Sequence, residues 1–326
     1  MSLIENGLPR FNSCPVPNDF ELEDAWEINE RFPAPEFNID APLLRPAVSP
    51  ETDFILADGK PRYIVEDQPI LGSGGYSSLH RGWDRRLEKY VAVKKGDIYG
   101  WLDEDQSLRL LELEAKTMAK INHPGIPEIY NYSTITTSNK KKVPVIIMAL
   151  INGESLYDRL DNENDELLSL GKVLKIIFQT ASTLDYIDKM GLNHGDLKPA
   201  NILLVKPHIK IVDFGNSNWA NPEGTEACSP GYTAPEFFSD RVSVRSDEYS
   251  LAATTYNLLF HRSPSENSEK LLKSIPRAKS CYPFTKLVRR DINRVLSRGL
   301  AEKPEDRFDS CTEFANAFSV ALGRKV

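Results

Sequence analysis

The stretch HGDLKPAN, His194 to Asn201, sets an aspartate five positions ahead of an asparagine, with a lysine between them. Asp213-Phe214-Gly215 follows a little downstream. Two short apolar runs, NILLV and IKIV, lie between these motifs. They are parted by Lys206, Pro207 and His208 and read as a hairpin-like pair of strands. Such a pair brings Asp196, Asn201 and Asp213 to one end of a sheet. Two carboxylates and an amide gathered there suit a hard cation and a phosphate, because Mg2+ takes a few oxygen ligands from protein and keeps part of its water.

Chemistry of this kind needs rigid carriers, and the flanking sequence supplies them. YVAVKK alternates with period two and reads as a strand with Lys94 near its end. Some way on, LRLLELEAKTMAKI has apolar residues at helical spacing, carries Glu114, and is followed by a stop at His123-Pro124. VPVIIMALINGESL reads as a buried strand running out into a loop. Lys172 to Met190 reads as an amphipathic helix with Leu174, Ile177, Leu184 and Ile187 toward the core. Upstream, LGSGGYSSLHRG supplies Gly72 and Gly74, which allow a hairpin backbone to approach phosphates closely.

These motifs, in this order, resemble the protein-kinase family over about residues 63 to 323. The resemblance is to eukaryotic-like, Hanks-type serine/threonine kinases. It implies an α+β, bilobal protein-kinase fold: a small β-rich N-lobe with helix αC at 63–148, a hinge at 149–152, and a larger, mostly helical C-lobe at 153–323. Lys94 then grips the nucleotide's α- and β-phosphates and is aligned by Glu114, chosen over Glu112 by its spacing to His-Pro. Asp196 orients the attacking hydroxyl, Lys198 steadies the γ-phosphate, and Asn201 and Asp213 hold Mg2+. The nucleotide is expected among Leu71, Gly72, Gly74, Leu79, Ala92, Met148 as gatekeeper, Leu150 of the hinge, Leu203, and Ser155 at a ribose position. Met118, His194 and Phe214 stack as one apolar spine; Leu79, Ala92 and Leu203 belong to another. CSPGYTAPE ends the activation region, with Ser229 at the position of a serine/threonine-kinase threonine. Glu236 is expected to pair with Arg307. RSDEYSLAATTYNLLF corresponds to the family's central helix, with Asp247 bonding the catalytic loop.

The chain departs from the family pattern twice. Gly195 replaces an arginine that pairs with a phosphorylated activation loop, so activity independent of phosphorylation at Ser217, Thr225 or Ser229 is expected. Ser77 replaces the third glycine of the glycine-rich loop. The expected activity is ATP- and Mg2+-dependent phosphorylation of protein serine and threonine hydroxyls. Two other readings stand beside it. HGDL also resembles the catalytic loop of aminoglycoside- and choline-type small-molecule kinases, and the atypical Gly195 and Ser77 are compatible with a pseudokinase scaffold.

Composition narrows the partners. A net charge of −7 with no long basic run disfavours nucleic acid. Cys14, Cys228, Cys281 and Cys311 are scattered and fit a reducing compartment rather than a disulfide framework. Val143 to Ile151 is the longest apolar run and is too short to span a bilayer, and MSLIENGLPRF lacks a signal-peptide layout. A cytoplasmic protein with protein substrates and no membrane contact is expected. Residues 1–62 are rich in proline and acid, which disfavours an independent core. Within them FELEDAWEINERF carries Phe20, Leu22, Trp26, Ile28 and Phe32 among its acids. It reads either as an element folded on the chain's own domain or as a regulatory arm that a partner displaces.

Overall fold

The computed structural model describes residues 54–57, 60–73, 77–96, 104–136, 142–162, 167–215, 229–239, 245–262 and 281–323. The FELEDAWEINERF island, Gly74, Ser217 and Thr225 lie outside the described residues.

Strands β1 (Phe54–Ala57), β2 (Lys60–Ser73), β3 (Ser77–Asp84), β4 (Lys89–Gly96), β5 (Ile129–Thr136) and β6 (Lys142–Ala149) form one antiparallel sheet in the order β1-β2-β3-β4-β6-β5. Period-two alternation splits β4 between two cores. Val91 and Val93 face one way and pack with Tyr63, Val65, Val143, Val145 and Ile147. Ala92 faces the other way and joins Ile146, Met148 and helix α1 (Glu104–Met118), whose Leu111, Ala115 and Met118 are buried. Lys94 sits on this second face, paired across the sheet with Leu79 and with Ile146. The sheet curls far enough that β1 touches β5, although they lie at opposite ends of its order.

The sheet begins before Tyr63, where the sequence placed the start of the folded part. Phe54 pairs with Ile64 and Ala57 with Lys60. A four-residue strand is too short to show a period, but Asp-Gly at 58–59 is a hairpin signal that could have found it. Helix α1 also stops at Met118, ahead of His123-Pro124.

The second lobe is built on α3 (Leu170–Asp188), α4 (Arg245–Phe260), α5 (Lys286–Gly299) and α6 (Cys311–Ala321), with a short α2 (Leu156–Asp161). Ser169 caps α3 by accepting the Lys172 N–H, so the helix starts two residues before the expected Lys172. Gly191, at φ +73°, turns the chain after it. Every residue of α4 from Ser246 to Phe260 is buried. Its polar residues are therefore largely obliged to find protein partners: Ser250 donates to Tyr232 O at 2.8 Å and Thr255 to Leu251 O at 2.9 Å. Where α4 meets α5, Gly299 is required, because a Cβ there would lie 2.8 Å from that of Ala252. β7 (Glu154–Ser155), β8 (Ile202–Val205) and β9 (His208–Ile211) form a small second sheet in that order. The β8–β9 hairpin is the pair expected from NILLV and IKIV, closed by Lys206-Pro207, with His208 inside the strand.

Candidate active site

The β8–β9 hairpin brings the two ends of the chemistry together. Asp196 to Asn201 enters β8, and Asp213 leaves β9. Val212 N donates to Asn201 O at 3.0 Å and closes the base of the hairpin. From above, β4 and α1 deliver Lys94 and Glu114. Lys94 Nζ lies 2.7 and 2.8 Å from the two Glu114 carboxylate oxygens and 2.8 Å from Asp213 Oδ1. Three elements of both lobes thus meet at one ammonium.

The charges in this group are unevenly placed. Burial works against the Lys94 ammonium, but Asp213 and Glu114 outweigh it and hold its pKa above the ordinary lysine value. Lys94 holds Asp213 down at about 2. Glu114 is pushed up by burial, which Lys94 only partly offsets. The Asp213 carboxylate stays open to the cleft, at 47% exposure, whereas Glu114 is enclosed at 3%. Asp213 also sits at φ +68°, a left-handed conformation that costs a non-glycine residue roughly 1–2 kcal/mol and aims its side chain at the cleft.

A second network closes around Asp196. Lys198 Nζ reaches Asp196 Oδ2 at 2.7 Å, and Ser229 Oγ donates to Asp196 Oδ1 at 2.6 Å. Lys198 Nζ also donates to Ser229 Oγ at 2.7 Å, so the three side chains form a triangle. Asn201 Nδ2 donates to Asp196 O at 2.9 Å, which leaves its amide oxygen as the atom available to a cation. Thr233, which the sequence reading passed over, fixes Ser229: its hydroxyl accepts the Ser229 N–H at 2.9 Å and donates to Ser229 O at 3.1 Å. The S-P-G-Y-T spacing was the available signal.

The loop carrying Asp196 is anchored from below by α4. Asp247 accepts the His194 N–H at 2.6 Å and the Gly195 N–H at 3.0 Å. Gly195 has φ +78°, so the position that lacks the family's arginine also has the backbone that glycine tolerates best. His194 bonds Val212 O at 3.0 Å and packs against Phe214 at 4.9 Å between ring centres, and Phe214 belongs to the same buried cluster as Met118.

The nucleotide-side residues are distributed as the strand registers dictate. Leu79 opposes Lys94 and Gly72, and Ala92 opposes Met148, so Leu79, Ala92 and Met148 share the face that carries Lys94. Leu150 follows β6 half-buried, and Leu71 precedes Gly72 in β2. Leu203 pairs with Ser155 across β7–β8. The Ser155 hydroxyl is engaged as the cap of α2, accepting from Asp158 N at 3.0 Å and donating to its carboxylate at 2.6 Å. Among the described residues no group of three or more His, Cys, Asp or Glu forms a self-sufficient metal site. A cation here would rely on Asp213, Asn201, phosphate oxygens and water, which is the usual Mg2+ arrangement.

Below the cleft, Glu236 and Arg307 form a bidentate pair at 2.7 and 2.7 Å. The other Arg307 donors reach Ala301 O, Arg245 O and Glu302 O, which satisfies all five N–H groups of a guanidinium that is 0% exposed. Ser246 adds a donor to Glu236 at 2.7 Å. Burial raises the Glu236 pKa, but Arg307 outweighs it and holds the carboxyl below the usual range.

A curled sheet with one flanking helix, a helical lobe, and a lysine–glutamate–aspartate cluster between them define a protein-kinase fold. The protein kinase domain family matches residues 65–318, and the chain belongs to it. The chain is 31% identical over 276 residues to the serine/threonine-protein kinase Pkn1 of Myxococcus xanthus, covering 78% of this chain and 38% of that protein. It is 28% identical over 259 residues to the serine/threonine-protein kinase PknB of Mycobacterium tuberculosis, covering 75% of this chain and 40% of that protein. The crystal structure of the Mycobacterium tuberculosis PknI kinase domain superposes with a TM-score of 0.62 at 26% identity, over 85% of this chain and 100% of that domain. The chain spans between 38 and 61% of the length of the curated relatives it matches. Among the described residues no helix is long and apolar enough to cross a membrane.

Proposed function

We propose that this chain is a protein serine/threonine kinase that transfers the γ-phosphate of ATP, with Mg2+, to hydroxyls of protein substrates. One observation carries the reading: the Lys94–Glu114–Asp213 cluster and the Asp196–Lys198–Ser229 triangle are both closed, and Lys198 of the second lies close enough to Asp213 of the first to help lower its pKa. Phosphoryl transfer asks a protein mainly for positioning and charge neutralisation. Lys94, held by Glu114, meets the α- and β-phosphates. Asp213 and the Asn201 amide oxygen hold the cation, which when bound neutralises phosphate charge. Asp196 orients the substrate hydroxyl and receives its proton as the hydroxyl oxygen bonds the γ-phosphorus and ADP leaves. Lys198 lies against Asp196 and steadies the transferred group. Leu71, Gly72, Leu79, Ala92, Met148, Leu150 and Leu203 enclose the base and sugar; Ser155 reaches a ribose only by giving up its cap.

Gly195 cannot supply a cation to a loop phosphate, so activity is expected without phosphorylation of Ser217 or Thr225. Ser229 stands apart from these two, because its hydroxyl is part of the Asp196 network. The part of the expected 1–62 extension that precedes β1, residues 1–53, acts as a regulatory extension to the kinase domain, since 54–57 and 60–62 belong to its sheet. The small-molecule kinase reading is disfavoured by the Glu236–Arg307 clasp against the start of α4, which we read as part of a platform for a protein substrate.

The test is transfer from labelled ATP with Mg2+ to a generic protein substrate and to a panel of amino alcohols, comparing wild type with Asp213→Ala. Label on protein serine or threonine that the variant loses supports the reading. Label only on amino alcohols moves the chain to the small-molecule class, and nucleotide binding without any transfer makes it a scaffold.

A further inference from the structure

Charge is divided sharply along this chain. Residues 1–53 hold eleven of its 47 acidic residues and three of its 40 basic ones. They carry a net −8 against −7 for the whole chain, so the remaining residues sum to +1. Within that near-neutral remainder, α5 is strongly one-sided. Ile292, Val295, Leu296 and Gly299 are buried. Lys286, Arg290, Arg294 and Arg298 recur every four residues on the exposed side. Asp291 serves both Arg290, at 3.2 Å, and Arg294, at 3.7 Å, while Glu313 lies 3.8 Å from Arg298. Two carboxylates against four cations leave the stripe positive. Leu287 adds an exposed apolar side chain beside it.

We propose that this face of α5 is the docking surface for residues 19–32 of the same chain. Asp19, Glu23 and Glu27 recur at the same four-residue interval as the cations, with Glu21, Asp24 and Glu30 beside them. Phe20, Leu22 and Trp26 supply apolar contact next to Leu287. Opposite charges repeated at one spacing on two segments fix register as well as attraction. Reach is sufficient. Residues 33–53 extend to roughly 70 Å at about 3.3–3.6 Å per residue, more than the ~50 Å diameter of a domain this size. The inference concerns binding alone and does not depend on catalysis.

Carbodiimide cross-linking of the full chain tests it, since the reagent joins amines to carboxylates in contact. Lys286 is the stripe's own amine, and Arg290→Lys with Arg294→Lys adds two more while keeping the charge. The expected result is peptide pairs joining positions 286, 290 or 294 to carboxylates at 19–30 in the monomer. Their yield should fall several-fold in 0.5 M NaCl, where screening is short-ranged, and in Arg290→Glu/Arg294→Glu. The exposed Lys116–Glu112 pair, at 2.7 Å, is the internal control. Cross-links from 19–30 that go to Lys140–Lys142 instead, that occur only in a dimer, or that fail to form while the control reacts would each overturn the proposal.

Discussion

Replacing Glu248 by glutamine should stabilise this protein at neutral pH, by an amount that depends on pH in a defined way. Glu248 lies on α4 beside the anchoring Asp247 and is 1% exposed; neither carboxyl oxygen makes a well-formed hydrogen bond among the described residues, and the Phe308 backbone N–H gives it only weak support. Burial pushes its pKa from an ordinary 4.5 up to about 9, with the nearby Arg307 and Arg298 offsetting part of that push. The folded protein therefore keeps a proton that the unfolded chain releases. A folded-state pKa raised in this way means stability falls as pH rises from about 4.5 to about 9, at roughly 1.4 kcal/mol per pH unit. Between pH 4.5 and 7 the loss is about 3 kcal/mol. Glutamine has nearly the same shape and never ionises, so Glu248→Gln escapes the loss. Neighbouring groups such as Asp188, also pushed up by burial, contribute to both proteins and cancel in the difference. Urea unfolding of both proteins at pH 5, 6, 7 and 8 would measure it, with unchanged m-values as the check on comparability. The variant's advantage should be small at pH 5 and grow with each step. A difference that stays flat across the range would show that Glu248 is ionised in the folded state and would refute the argument.

Arg307→Ala should cost about 3–5 kcal/mol in the same assay, because it strands the buried Glu236 carboxylate; a cost under 1 kcal/mol would mean water replaces the guanidinium. Since Glu236 titrates below its ordinary range, the clasp's contribution is present above about pH 4.5 and fades as the pH falls, so the wild-type advantage over Arg307→Ala should shrink in acid. Gly195→Ala should lower stability by roughly 1–2 kcal/mol at φ +78° while keeping both N–H bonds to Asp247; circular dichroism melts would detect it, and an unchanged melt would mean the loop relaxes. Ser229→Ala should reduce the rate of transfer from labelled ATP at least several-fold by opening the Asp196–Lys198 triangle, whereas Ser217→Ala/Thr225→Ala should retain most of it. Equal losses in both would argue for control by loop phosphorylation.

Much of the site was legible in the sequence because the chemistry is local there. Asp196, Lys198 and Asn201 fall within one loop, and the apolar runs beside them state their own pairing. Alternation in YVAVKK put Lys94 on a strand, and helical spacing put Glu114 on a helix. What joins Lys94 and Glu114 to Asp213 is the meeting of two lobes, and no spacing along the chain specifies that contact. Ser229, thirty-three positions from Asp196, reached its place through a fold-back that Thr233 fixes. The first strand was hidden by its shortness, and although Asp247 was expected beneath the loop, the left-handed backbone of Gly195 is set by how that loop closes, which no spacing states. Glu248 shows the division most clearly. In sequence it is one more acid in a polar helix start; in the fold it is enclosed by α5, α6 and the Arg307 segment. Periodicity reports which side of an element is apolar, so sequence determined the elements and the residues they carry. Burial on all sides arises only when several elements close around one residue, and that enclosure, which sets both the contacts and the proton affinities, was decided by tertiary structure.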